Sequence, residues 1–337
     1  MCYAVPVRRA STCLSVLFLL ACGDGGELGP GADTDLGAEP PVADLGAMDA
    51  APERDGGSLA GTYLLRLDAG AFPPTPEHPS ALVYIPPGFD PRPPLSVVVY
   101  IHGFNNCVEN IVRKQGASCD PARGTPVRSA FSLAEQLQVS QRNALLLCPE
   151  VAFDQASADP GNLGKPGGFK ALLGEALQAL PPPLRELTLR EVGDVVLASH
   201  SGGYQAAAGI AVRGGVPIRE LYLFDSLYGS TTDFDAWVES DVGGFSGSAP
   251  RRRFADVYTT GGGTLARSQA MADRARAWAA ADPMALVDDR TTSTWPDATY
   301  RHGLLFKLSE LSHDGVPRYY FSRLLATSAL RAIATGP

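Results

Sequence analysis

Three residues of this sequence, Ser201, Asp225 and His313, have the side chains that nucleophilic catalysis by a serine requires. A serine hydroxyl attacks weakly until a base removes its proton, and an imidazole base needs a carboxylate to orient it. Each residue stands just after a short apolar run, where a strand is expected to end. The sequence therefore predicts an activated serine, with His313 as its base and Asp225 as the orienting carboxylate.

The turn around Ser201 has the composition of a nucleophile elbow. An apolar run at 195–198 precedes it, and a helical pattern of small residues follows over 204–212. Such a turn must be sharp, so the residues two before and two after the serine must be small. Ser199 and Gly203 meet this requirement, although Ser199 stands where glycine is usual. The alternative interpretation is an ordinary glycine-rich turn between a strand and a helix.

The elements that position these residues alternate between strands and helices. Apolar or alternating runs predict eight strands, at 62–68, 81–86, 95–101, 144–148, 194–200, 221–224, 255–259 and 304–308. After the two edge strands the strand–helix alternation indicates a mostly parallel sheet with helices on both faces. In such sheets the ligand chemistry lies beyond the carboxyl ends of the strands. Helices are therefore expected to cover the sheet and leave this edge free for the site.

The order Ser, Asp, His along this strand pattern resembles the α/β-hydrolase superfamily. The resemblance runs from about residue 62 to the C-terminus, and the segment at 82–90 is similar to the opening of secreted bacterial serine esterases and polyester depolymerases. It implies an α/β-hydrolase fold and a serine hydrolase, above all a carboxylic-ester hydrolase that works through an acyl-enzyme. It also implies that the domain needs no metal or organic cofactor.

The same resemblance assigns roles around the serine. His-Gly-Phe at 102–104 follows the third strand, where the family has its oxyanion loop. The backbone N–H groups of Phe104 and Gly202 would then stabilise the charge that develops on the substrate oxygen. Supporting roles fall to His102, Gly103 and Gly203.

The choice of His313 as the base is made among five histidines. His200 adjoins the serine and cannot easily fold back onto it, and His78 precedes the main sheet. His302 precedes the last strand and is expected at the opposite end of the sheet. His313 follows that strand in a glycine-containing loop, which makes it the preferred base. A surface histidine is the alternative reading.

The acid is less sharply specified by the sequence. Many family members carry it after the seventh strand, but the segment at 260–264 has no carboxylate. Asp225, after the sixth strand, is the preferred acid, and a helix cap is its alternative role. Three further aspartates remain as candidates: Asp233, Asp256 and Asp282.

The N-terminal segment predicts export. Residues 1–21 combine two arginines with a short apolar run, as in a secretory signal peptide, and Cys22 follows a lipobox-like sequence. Residues 22–57 are rich in glycine, alanine, proline and acids and predict a disordered linker, which leaves 58–337 as the hydrolase domain. We expect a lipid anchor on Cys22 and, in a Gram-negative host, location at the outer membrane or the periplasmic face. Plain secretion is the alternative.

Charge and cysteine usage narrow the function classes further. The net charge is −8, but residues 23–57 alone contain nine acids and one arginine, so the domain itself is nearly neutral. No basic patch indicates nucleic acid as a partner. Cys107 and Cys119 are close enough in sequence to pair in an oxidising compartment, whereas Cys148 lies in an apolar strand pattern. No cysteine or histidine spacing predicts a metal site.

Two rival functions remain open from the sequence. A peptidase or amidase would use the same three residues as an esterase. A catalytically silent hydrolase fold that binds a partner at the cell surface is favoured by Ser199 and by the displaced acid. The retained serine, histidine and oxyanion loop argue for an enzyme instead, with a small-molecule or polymeric ester as substrate.

Overall fold

The computed structural model describes residues 59–75, 78–155 and 158–334. The predicted signal peptide at 1–21, the lipidated Cys22 and the linker at 22–57 lie outside the described residues. Within the described part, no helix has the length and apolar character that crossing a membrane requires.

One sheet organises the described residues. Its nine strands are β1 (Gly61–Leu65), β2 (Ala81–Ile85), β3 (Leu95–Ile101), β4 (Leu145–Pro149), β5 (Val192–His200), β6 (Glu220–Phe224), β7 (Arg253–Thr259), β8 (Leu286–Asp289) and β9 (Leu304–Ser309). Their order is β1-β2-β4-β3-β5-β6-β7-β9-β8. β2 pairs antiparallel with both β1 and β4, and every other pairing is parallel. The carboxyl ends of β3, β5, β6, β7 and β9 therefore meet at one edge.

The central strand β3 shows why the sheet is covered on both sides. Val97 and Val99 pack into one apolar cluster, whereas Val98 and Tyr100 pack into the other, and all four are buried. Successive side chains of a strand point to opposite faces, so an uninterrupted apolar run requires two cores. The predicted central position of this strand is confirmed.

Helices supply the outer half of each core. They are α1 (Val108–Val112), α2 (Leu133–Val139), α3 (Gly168–Ala179), α4 (Tyr204–Arg213), α5 (Thr231–Glu239), α6 (Leu265–Trp278) and α7 (Gly315–Ala326). α3, α4, α5 and α6 pack on one face, and α1, α2 and α7 on the other. The predicted α/β-hydrolase fold class, with helices on both faces of a mostly parallel sheet, is confirmed.

The prediction of eight strands missed one. β8 is a four-residue edge strand in which every residue is partly exposed. Two of its residues are aspartates, so it lacks the apolar run that marks the other parallel strands. Asp289 on β8 instead pairs with the buried Lys307 of β9, with Nζ 2.7 Å from Oδ2.

Candidate active site

Ser201 stands on a strained turn directly after β5. Its φ is +52°, in the left-handed region that non-glycine residues adopt rarely and at some energetic cost. A turn of 3-10 helix, Ser201–Gly203, leads at once into α4. A Cβ on Gly203 would lie 2.7 Å from the carbonyl oxygen of His102, so the turn needs glycine there. This geometry is that of the predicted nucleophile elbow.

Ser199 has a definite role in place of the usual glycine. It is fully buried, and its Oγ lies 2.9 Å from Oγ of Ser226 at the end of the neighbouring strand. Ser226 in turn donates to the backbone oxygen of Ser201 at 2.9 Å. The two hydroxyls therefore connect the elbow to the segment that carries Asp225.

Asp225 and His313 are in contact across the sheet edge. Nδ1 of His313 lies 2.7 Å from Oδ2 of Asp225, whose side chain is completely buried, whereas a third of the His313 side chain is exposed. Asp225 also accepts hydrogen bonds from the backbone N–H of Thr259 and the hydroxyls of Thr259 and Thr264. Burial opposes ionisation, but these bonds outweigh it and lower the pKa of Asp225. Asp225 is therefore a carboxylate that fixes the ring of His313.

The glycine-rich segment after β7 encloses Asp225 instead of supplying an acid. A Cβ on Gly262 would lie 2.0 Å from Oδ2 of Asp225, so only glycine allows this close approach. Thr264 stands at the N-cap position of α6, but its hydroxyl makes no side-chain cap bond and donates to Asp225. The buried carboxylate is the stronger acceptor.

The other candidate acids have different surroundings. Asp233 pairs with Arg213 at 3.3 Å, and Asp282 accepts from the backbone N–H of Gly247 at 2.9 Å. Asp256 is fully buried, and burial raises its pKa to about 7. Of the four aspartates considered from the sequence, Asp225 is the one in contact with His313.

Two of the remaining histidines contact other parts of the chain. His302 bonds through Nδ1 to the backbone oxygen of Met284 at 2.7 Å, and the ring of His78 packs on Phe153. His200 behaves differently: its Nε2 lies 3.2 Å from the backbone oxygen of His313, and the two rings are 4.4 Å apart. Burial and then the neighbouring His313 lower the pKa of His200 to about 3, so it stays neutral and holds the His313 loop. The sequence indicated no role for it.

Tyr228 is a site residue that sequence reasoning did not single out. Its hydroxyl forms a side-chain hydrogen bond with Ser201, and its ring lies edge-on to His313 at 6.3 Å. Burial, followed by the charge of Asp225, raises the pKa of Tyr228 to about 12. In the sequence it is one of several aromatics in the connection after β6. Its position three residues beyond the acid is the signal that was available.

The loop after β3 approaches the elbow closely. A Cβ on Gly103 would lie 2.6 Å from Cβ of Ser201 and 3.1 Å from the backbone nitrogen of Gly202. Phe104, the next residue, keeps 44% of its surface exposed, while Gly202 is buried. The structure thus brings the loop that carries Phe104 against the turn at Ser201 and Gly202.

His102 lies at the start of this loop, and contacts to both of its ring nitrogens hold it in place. It is fully buried, with Nε2 2.8 Å from Oε1 of Glu150 and Nδ1 2.9 Å from the backbone oxygen of Gly103. Burial acts to lower its pKa, but the charge of Glu150 outweighs burial, and the pKa of His102 is raised. The backbone N–H of Val151 donates to Nε2 of His102 at 3.3 Å, so this nitrogen faces that donor as well as Glu150. Nearby, Cys107 and Cys119 form a disulfide, and Cys148 is a buried free thiol.

Comparison with known proteins finds structural likeness only. No protein-family model matches the sequence, and no curated protein matches it. The chain is similar to a mutant of the feruloyl esterase module from Clostridium thermocellum complexed with sinapinate, with 10% identity, a TM-score of 0.45, and coverage of 82% of this chain and 98% of that chain.

Two further solved structures resemble the chain more distantly. A truncated carbohydrate esterase from gut microbiota has 10% identity, a TM-score of 0.32, and coverage of 62% of this chain and 80% of that one. An IroE-like serine hydrolase from Shewanella oneidensis has 13% identity, a TM-score of 0.33, and coverage of 73% and 74%. Identities and TM-scores this low assign no activity or substrate to this chain.

Proposed function

We propose that this protein is a serine hydrolase that cleaves carboxylic esters through an acyl-enzyme. The observation that carries the proposal is the 2.7 Å contact between His313 and the buried Asp225, at the same sheet edge as a serine held at a positive φ. Structural histidines also contact carboxylates, but the strained serine beside this pair has no evident structural purpose. Strain of this kind is found where a nucleophile must be presented.

In the proposed reaction, Ser201 Oγ attacks the ester carbonyl carbon as His313 takes its proton. Asp225 holds the His313 ring and stabilises the imidazolium that forms. The N–H groups of Phe104 and Gly202 donate to the carbonyl oxygen as it becomes negative. His313 then returns the proton to the departing alcohol, and water repeats the sequence to release the acid.

The test is covalent labelling of the full chain with a fluorophosphonate, followed by mapping of the adduct by mass spectrometry. We expect one adduct on Ser201 that disappears in His313→Ala. His302→Ala is the matched control, because it removes a different histidine, whose Nδ1 bonds the backbone oxygen of Met284. If a correctly folded chain forms no adduct, the catalytic assignment is wrong and the catalytically silent binding module is the better assignment. Matched ester and amide substrates then separate an esterase from a peptidase or amidase.

We further propose that the protein is exported and anchored by a lipid on Cys22. The support is the sequence alone: a short apolar run after two arginines, and then a long acidic linker that suits a tether. Mass spectrometry of the mature N-terminus from the native host tests this proposal. A diacylglyceryl group on Cys22 would support it. A mature chain beginning elsewhere, without lipid, would show plain secretion.

A further inference from the structure

A second group of chemically reactive side chains lies near the oxyanion loop. His78 precedes β2, Glu109 lies in the first turn of α1, and Glu150 follows β4. Each offers one metal-ligating atom, and the three atoms lie within 4.8 Å of one another. Three separate segments of the fold therefore bring one imidazole and two carboxylates together.

These side chains have unsatisfied atoms. Nδ1 of His78 and Oε2 of Glu109 are buried without a hydrogen-bond partner. Glu150 is more than nine-tenths buried, and its Oε1 has no partner with hydrogen-bond geometry, although Nε2 of His102 lies 2.8 Å away. A buried acceptor without a partner is unfavourable, and a cation between the three atoms would satisfy all of them.

The site also has room for water ligands. A cavity of about 220 Å³ is lined by His78 and Glu150 together with Thr75, Ser80 and Phe153. Waters in such a cavity complete the coordination of a metal that receives only three protein ligands. The lining of the cavity comes from the β1–β2 connection and the segment that follows β4.

We propose that His78, Glu109 and Glu150 bind one divalent transition-metal ion of the Zn²⁺ type. An imidazole nitrogen with carboxylate oxygens suits zinc better than calcium or magnesium, which take oxygen ligands almost exclusively. Zinc bond lengths place neighbouring tetrahedral ligand atoms about 3.4 Å apart, so ligand atoms that lie within 4.8 Å of one another need to approach by about 1.4 Å at most. The ion would be structural, because no predicted catalytic residue is among its ligands.

The ion would act on the oxyanion loop through Glu150. That carboxylate contacts His102 in the loop, and its Oε2 accepts from the backbone N–H of Val108 at 3.0 Å. Fixing Glu150 therefore fixes both the start of α1 and the loop that follows β3. Only this link to catalysis rests on the proposed function; binding itself does not.

The experiment is calorimetric titration of the EDTA-treated full chain with ZnCl₂, paired with thermal unfolding in its presence and absence. We expect one high-affinity Zn²⁺ per chain and a higher unfolding temperature with Zn²⁺. His78→Ala and Glu109→Gln should each weaken binding more than about tenfold, while His302→Ala leaves it unchanged.

A second potential ligand group, His200, His313 and Asp314, must be separated from this one. Titration of His313→Ala does so, because binding at the proposed site persists there and is lost in His78→Ala. If His78→Ala fails to fold, His78→Gln replaces it, with circular dichroism as the folding check. Binding that is unchanged in both folded His78 variants, or absent from the wild-type chain, overturns the proposal.

Discussion

Two histidine–carboxylate pairs lie at the same edge of this sheet, and they differ in what surrounds each ring. His313 contacts Asp225 at 2.7 Å and His102 contacts Glu150 at 2.8 Å. His313 keeps a third of its side chain exposed, and only one of its nitrogens is bonded to the carboxylate. His102 is fully buried with both nitrogens engaged. The first ring can exchange a proton with a reacting group, whereas the second is fully enclosed and fixes the loop that follows β3.

The carboxylates differ in the opposite sense. Asp225 is surrounded by donors from Thr259 and Thr264 as well as His313, so its charge is fully satisfied. By contrast, Oε1 of Glu150 has no partner that meets hydrogen-bond geometry. A catalytic acid needs a fixed, ionised carboxylate, and the pair at Asp225 meets that need. The same isosteric change, carboxylate to amide, therefore tests the two pairs on equal terms.

Asp225→Asn should have the largest effect on activity. The amide can no longer accept the His313 N–H as a carboxylate does, so the ring loses its tautomer and its charge stabilisation. We expect kcat to fall about 10³–10⁴-fold with the fold retained, measured with a chromogenic ester and circular dichroism. A loss of kcat under tenfold would show that His313 does not depend on Asp225. Asp256 would then again be a candidate for the orienting acid.

Glu150→Gln should instead reduce stability, and most at low pH, because it removes the carboxylate charge that raises the pKa of the buried His102. The pKa of His102 is raised in the folded chain. Its contribution is therefore fully present below the unfolded pKa of about 6.5 and is lost as pH rises through the folded pKa. Urea unfolding of metal-free wild type and variant from pH 5 to 9 measures the difference. A gap that does not narrow with rising pH would mean that His102 is neutral.

The elements that sequence reasoning predicted well are those with strong local patterns. The β-branched run of β3 marked a strand buried on both faces, and the abrupt Ser-His-Ser-Gly-Gly after β5 marked the turn at Ser201. The order of strands then placed Asp225 and His313 near the serine. The sequence did not predict β8, because a four-residue edge strand with two aspartates has no apolar run.

Contacts between distant segments had no local signal. Threonine favours the helix N-cap position that Thr264 occupies, and only the fold reveals that a buried carboxylate competes for its hydroxyl. The approach of His78, Glu109 and Glu150 likewise depends on how three connections are folded. Tyr228 could have been suspected from its nearness to Asp225, but its hydrogen bond to Ser201 depends on the turn between them.

Tyr228→Phe should have an intermediate effect on activity. The change removes the hydroxyl that bonds Ser201 and keeps the ring beside His313. We expect kcat to fall about tenfold, as when one neutral hydrogen bond is lost near the reacting centre. With a pKa of about 12, Tyr228 stays protonated, so the ratio of wild-type to variant kcat should be constant from pH 6 to 9. A ratio that varies with pH would show that the hydroxyl titrates in this range.

Ser199→Gly should have the smallest effect, and it asks whether the link between the elbow and the Asp225 segment matters. Ser199 is buried against Ser226, and the change removes one hydroxyl from a bonded pair. Restoring the glycine usual at this position should cost about 1 kcal/mol of stability, from the lost hydrogen bond and the freer backbone. kcat should stay within about threefold of wild type, because Ser226 still donates to the Ser201 carbonyl.

Ser199→Ala separates the two causes of the stability loss, since it removes the hydroxyl without adding backbone freedom. A hundredfold loss of kcat in both variants would mean that the Ser199 hydroxyl positions the nucleophile, and that this elbow departs from the glycine pattern for a catalytic reason.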